Sequence, residues 1–126
     1  MVSMKETKTQ YRGYIMTSKP ILYIVIPCYN EEKVLPETEP LFLQTLRGMI
    51  SDGKIAEESR VMFVNDGSKD ASPAILDRLA MESEKVKVIH FSRNYGHEAA
   101  MIAGIDYSTG DGVICMDADL QHPPKT

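Results

Sequence analysis

Apolar residues along this chain fall into blocks of two kinds that alternate. Short runs rich in β-branched residues occur at 21–26 (ILYIVI), 60–65 (RVMFVN), 86–92 (VKVIHFS) and 112–116 (GVICM). Such runs are strand-sized. Between them the apolar positions recur at helical spacing. Leu41, Phe42, Leu46, Met49 and Ile50 form one stripe, with Thr38 expected as N-cap, Pro40 in the first turn and Asp52-Gly53 as the stop. Ile75, Leu76 and Leu79 form a second, opened by Ser72 as N-cap and Pro73 at the first helical position. The alanine-rich segment from His97 to Gly110 is the third helix.

Strands that are apolar on both faces and alternate with helices imply a parallel sheet covered on both sides. Right-handed crossovers follow. The expected fold is therefore α/β, a doubly wound, Rossmann-like parallel sheet. Residues 1–19 are polar and mildly basic without a sustained period, and read as a flexible leader to a single domain over 20–126.

Composition narrows the classes of function. The net charge of −4 argues against a nucleic-acid or anionic-membrane binder, so any phosphate must be held locally by backbone amides, an arginine or a metal. Cys28 and Cys115 lie far apart in strand-like runs, and are expected as reduced, buried thiols of a cytoplasmic protein. The longest apolar run is far short of a membrane span and no signal-peptide core precedes it, although a longer parent could carry an anchor.

Doubly wound sheets bind ligands beyond the carboxyl ends of their strands. Here those exits read PCYNEE (27–32), NDGSKD (65–70), SRNYGHE (92–98) and DADLQHPP (117–124), and three of the four carry two carboxylates each. Acidic residues after a strand often only cap the next helix, and Asp70 or Ser72 is expected to do so. Capping accounts for neither Tyr29 nor the spacing of Asp117 and Asp119.

In an extended segment, residues two apart project to the same side, so Asp117 and Asp119 are able to aim both carboxylates at one point. Two close anionic groups call for a cation between them. Oxygen ligands suit a hard ion, Mg2+ or Mn2+, and Gln121 adds a neutral carbonyl. Zinc fits poorly, with His122 the one imidazole nearby. His90, inside a strand, reads as a structural residue. HEAAM at 97–101 lacks the second histidine of a zinc-protease helix.

Four segments in this order, VIPCYNEE, VNDGSKDAS, FSRNYGHEAAMIAGIDYSTGD and ICMDADLQHPP, resemble the family 2 glycosyltransferases over about residues 21–124. The branch they resemble is the polyprenyl- or dolichyl-phosphate sugar synthases, on the strength of DADLQHPP and RNYGHEAA. The resemblance implies a GT-A fold and transfer of a hexose, with inversion, from a nucleoside-diphosphate sugar to a polyprenyl phosphate, as in the assembly of cell-envelope glycans. It implies that Pro27, Tyr29 and Glu31 line the base and ribose pocket. It likewise implies that Val64 and Asp66 contact the nucleotide, Asp66 as a hydrogen-bond acceptor from the base. Asp117, Ala118 and Asp119 would lie along the ribose and diphosphate, and Arg93 would contact a phosphate. Asp117, Asp119 and Gln121 would hold Mg2+ or Mn2+, with the two aspartates as the catalytic pair.

The pattern departs from the family at His97, where lysine is frequent, and at Lys125, where an acidic residue is frequent. Family catalytic domains also continue into an acceptor half beyond the fourth strand. The isolated chain is therefore expected to be weak or inactive as a transferase. The alternative is a non-catalytic nucleotide-binding fragment, or one that self-associates into a homo-oligomer through the open edge of its fourth strand. A flavodoxin or dehydrogenase domain would share the sheet, but no GxGxxG follows any strand and no GxxxxGK[ST] occurs.

Overall fold

The computed structural model describes residues 19–118. The expected leader lies outside the described residues apart from Lys19, and so do Asp119, Gln121 and the residues that follow them. Seven elements alternate along the chain: β1 (Leu22–Cys28), α1 (Leu35–Ser51), β2 (Arg60–Asn65), α2 (Ser72–Glu82), β3 (Val86–His90), α3 (His97–Tyr107) and β4 (Gly112–Cys115). The strands form one parallel sheet in the order β3-β2-β1-β4. This is the expected Rossmann-like architecture.

The order decides which face each helix covers. The steps β1 to β2 and β2 to β3 go one way across the sheet, and the step β3 to β4 returns past β1. With right-handed crossovers, α1 and α2 must share one face and α3 must take the other. Side-chain alternation agrees. Ile24, Ile26 and Cys28 of β1, with Val61 and Phe63 of β2, pack on Leu35, Phe42 and Leu46 of α1 and Leu76 of α2. Tyr23, Val25, Met62 and Val64 point the opposite way, onto Ala100 of α3. Phe42 and Phe63 meet edge to face with ring centroids 6.4 Å apart, a favoured aromatic geometry. Gly104 lets α3 lie close to the sheet: a Cβ added there would come within 2.3 Å of Val25 Cγ1.

Only β1 and β2 are buried along nearly their whole length. The edge strands are not: β3 exposes Lys87 and His90, and β4 exposes Val113, Ile114 and Cys115. Cys115 is thus an exposed thiol rather than the buried one expected, because among the described residues its strand pairs on one side only and no helix fully covers it. Cys28, on the central strand, is buried as expected.

Two helix starts also differ from expectation. The first helix begins earlier, with Pro36 in its first turn, so Thr38 lies within the helix and its hydroxyl donates to the Val34 carbonyl. Pro40 falls inside the helix, where it has no N–H to offer the Pro36 carbonyl. In α2, Ser72 is the first helical residue and Asp70 Oδ1 accepts its N–H at 2.9 Å. Asp70 therefore does the capping. No described helix is long and apolar enough to cross a membrane.

Candidate functional site

The chain reverses its direction of travel across the sheet between β1 and β4. Such a switch point opens a crevice. A cavity of about 570 Å³ occupies it. Pro27, Tyr29 and Glu31 come from the end of β1, Asp66 from the end of β2, and Asp117 and Ala118 from the end of β4. Six of the residues predicted from the strand exits thus line one pocket.

The loops that bear these residues brace one another. Asn30 takes a left-handed conformation with φ of 54°, which asparagine tolerates better than most residues. Its N–H donates to Ser68 Oγ at 3.0 Å, and its Oδ1 accepts the Lys69 N–H at 2.8 Å. The Glu31 N–H donates to Ser72 Oγ. The Glu32 N–H donates to Asp70 Oδ2, while Glu32 Oε1 accepts from the Ala71 N–H. Many polar residues at these exits therefore hold the first two loops to each other. That leaves Tyr29 half-exposed at the pocket wall.

Asp66 sits deeper, 3% exposed. Its Oδ1 accepts the Tyr95 N–H at 2.7 Å, and its Oδ2 accepts the Gly96 N–H at 3.0 Å and Asn94 Nδ2 at 3.1 Å. The carboxylate expected to meet a base is therefore engaged by the loop between β3 and α3. Val64 does not reach the pocket. It is fully buried on the α3 face of the sheet, one step inside the strand end, where Ala100 and Gly104 of α3 cover it. Arg93 also lies outside, in a neighbouring cleft of about 750 Å³ between the loops after β2 and β3. Its guanidinium sits 4.6 Å from the centroid of the Tyr95 ring.

Four pocket residues are not among the expected site residues: Cys28, Asn94, Gly96 and His97. The last three belong to the RNYGHEAA segment, where the sequence points to Arg93 alone. His97 opens α3 and places Nε2 3.7 Å from Asp117 Oδ1 across the mouth of the pocket. Cys28 lies at the rear. Burial first, and then the Glu31 carboxylate, push its thiol far above the ordinary range, so it is neither nucleophile nor ligand at neutral pH. His90 is structural, as expected, with Nδ1 2.9 Å from Asn65 Nδ2 and Nε2 2.7 Å from Asp77 Oδ1.

Of the expected metal ligands, Asp117 is the one within the described residues, where its side chain is 61% exposed at the pocket mouth. No group of three or more His, Cys, Asp or Glu among the described residues could hold a metal ion. An exposed carboxylate beside a polar cavity is nonetheless the donor type a hard cation needs.

Comparison with known proteins agrees with this architecture. Residues 23–126 match the family described as Glycosyl transferase family 2. An uncharacterized glycosyltransferase of Bacillus subtilis (strain 168), YkcC, is 46% identical over 109 residues, which is 86% of this chain and 32% of that protein. The bactoprenol glucosyl transferase of Shigella phage SfX is 41% identical over 100 residues, covering 79% of this chain and 31% of the relative. Among solved structures, mannosyltransferase PcManGT from Pyrobaculum calidifontis, in complex with GDP-Man and Mn2+, superposes with a TM-score of 0.63 at 22% identity. That match covers 82% of this chain and 28% of the neighbour, and shows a shared fold. The chain belongs to glycosyltransferase family 2. It spans about a third of the length of the relatives it matches.

Proposed function

We propose that this chain forms the donor-binding part of a metal-dependent, inverting hexosyltransferase that moves a sugar from a nucleoside diphosphate to a polyprenyl phosphate. The observation that carries the reading is the pocket at the β1/β4 switch point, lined by Tyr29 and Glu31 from the end of β1 and by Asp117 from the end of β4. A planar base suits the Tyr29 side and a ribose suits Glu31. The diphosphate lies toward Asp117 and Ala118. The acceptor class is supported by a bactoprenol glucosyl transferase among the relatives.

Asp117, with Asp119 and Gln121, would hold Mg2+ or Mn2+. Such an ion supplies Lewis-acid stabilisation to the diphosphate leaving group. The carboxylate of Asp117 orients the donor by fixing where its diphosphate lies. An acceptor phosphate oxygen forms a bond to the anomeric carbon as the bond to the nucleoside diphosphate breaks, and the configuration inverts. A phosphate monoester has a second pKa of about 6 and is largely ionised at neutral pH, so this acceptor needs no strong base from the protein.

A second reading, self-association, is favoured by one feature. Val113 and Ile114 are exposed on β4, and among the described residues β4 pairs on one side only. Such an edge is a template for another chain.

Isothermal titration of uridine and guanosine diphosphates against their monophosphates, in Mn2+, tests the donor reading. It expects one base to be preferred and the diphosphate to bind more tightly than the monophosphate. Equal binding of mono- and diphosphate contradicts it.

A further inference from the structure

Asn65 ends β2 almost fully buried, 3% exposed. Its Oδ1 accepts the Ser68 N–H at 3.0 Å, so the amide nitrogen is the atom that faces His90, 2.9 Å from Nδ1. An amide nitrogen only donates. His90 Nδ1 must therefore offer its lone pair, and the ring proton sits on Nε2, which donates to Asp77 Oδ1 at 2.7 Å. A partner on each side thus sets the neutral ring in one tautomer.

The same network runs on to the donor pocket. Ser68 Oγ accepts the Asn30 N–H, and Asn30 Oδ1 accepts the Lys69 N–H. Asn30 is held left-handed, with φ of 54°, between Tyr29 and Glu31, which both line the pocket. We propose that His90 and Asn65 are positioning residues for the donor site: neutral His90 fixes the Asn65 amide, Asn65 holds Ser68, and Ser68 holds the loop that carries Tyr29 and Glu31. This assignment rests on the donor-site reading and adds to it a dependence on pH.

The dependence comes from a conflict of donors. A proton taken up at Nδ1 makes both ring nitrogens donors, and Nδ1–H then meets the Asn65 amide N–H. If the amide keeps its orientation, that contact is lost. If it turns over, its nitrogen faces the Ser68 N–H instead. Both outcomes loosen the loop. The ring is 37% exposed, so solvent protons reach it. Of the charged groups around it, Asp77 of α2 favours the imidazolium, whereas Lys69 and Arg93, from the loops after β2 and β3, oppose it. The adjacent strand β2 presents the uncharged Asn65.

Heteronuclear NMR of the histidine rings and the backbone amides reads the linkage without any ligand. At about pH 8 the His90 proton should sit on Nε2 alone, and on acidification to about pH 5.5 the Ser68 and Asn30 amide resonances should move with the same midpoint as protonation of Nδ1. His90→Asn, which keeps an acceptor toward Asn65 but does not titrate, should lack that step. A proton on Nδ1 at the higher pH, or Ser68 and Asn30 amides indifferent to the His90 midpoint, would overturn the proposal.

Calorimetric titration of uridine and guanosine diphosphates in Mn2+, at the same two pH values, carries the linkage to the site. Protonation of the phosphates is common to every chain and cancels in the comparison. On acidification, wild type should lose about 2- to 10-fold more affinity for the preferred nucleotide than His90→Asn loses, the worth of one hydrogen bond. Asn65→Asp, whose carboxylate accepts from both Ser68 and the protonated ring, should likewise lack the extra loss. Equal losses in all three chains would overturn the positioning role, because a merely structural histidine shifts affinity by the same factor at both pH values. Failure of wild type to bind either nucleotide at either pH, with the amide step present, would refute the donor-site reading and with it the positioning role, leaving only a pH-linked loop contact.

Discussion

His97 Nε2 and Asp117 Oδ1 lie 3.7 Å apart and close the mouth of the pocket from opposite walls, one at the start of α3 and the other just past β4. Both side chains are more than half exposed. An exposed pair of this kind contributes about 0–1 kcal/mol, so it guides the carboxylate without locking it. His97→Ala should therefore leave thermal stability nearly unchanged and alter nucleotide affinity by no more than about 5-fold. Asp117→Ala should reduce affinity much further, as titration calorimetry would measure.

The α3 face offers a test of packing. Gly104 meets Val25 Cγ1 so closely that an added methyl has no room, with Val64 Cγ2 also 3.2 Å away. Gly104→Ala would gain helix propensity but force α3 off the sheet. Overpacking costs about 1–3 kcal/mol, more than the roughly 1 kcal/mol gained from propensity. Urea denaturation should show net loss of stability. A gain would mean that α3 is free to shift.

On the other face, Leu46 is fully buried between α1 and the sheet. Leu46→Ala should cost about 2–5 kcal/mol. Against a typical domain stability of about 5–15 kcal/mol, that is a large share, visible as a lowered urea midpoint with little change in slope. A change under about 0.5 kcal/mol would contradict the placement of Leu46 in the core.

Asp70 links stability to pH. Burial alone would raise its carboxyl, but hydrogen bonds from Ser72 and Glu32 outweigh it and hold the group below its ordinary value of 3.8. The folded state therefore binds protons less readily than the unfolded chain. Its contribution is fully present above pH 3.8 and is lost as pH falls through the lowered folded value. Asp70→Ala should cost about 0.5–2 kcal/mol at pH 7, as for other lost helix caps. That difference from wild type should shrink as the pH falls below this window. A difference that stays constant to low pH would rule out the linkage.

Much of this arrangement is legible in the sequence because burial on both faces leaves a mark. The runs at 21–26 and 60–65 have almost no polar positions, and these are the central strands. The polar residues that interrupt each run stand where a parallel sheet places its ligands, so Tyr29, Glu31, Asp66 and Asp117 fall in one pocket.

What is not legible depends on distant partners. Period-two alternation gives two faces to VMFVN, but only the crossover directions say that Val64 faces α3. Cys115 looks as apolar in context as Cys28, yet among the described residues its strand lies at the edge, because the chain returns past β1 before adding β4. Asn30, Glu32, Ser68 and Asp70 stand at two different strand exits. They bond across 38 or more residues of sequence, and no local pattern announces such a pairing.

The central claim is a donor site that works through a divalent cation at Asp117, and its most direct test is calorimetric titration with the preferred nucleoside diphosphate. Wild type should bind in Mn2+ and lose at least about 10-fold in affinity in EDTA, and Asp117→Ala should bind as weakly in Mn2+ as wild type does without it. Equal affinity with and without the ion, or an Asp117→Ala chain as Mn2+-dependent as wild type, would contradict the account.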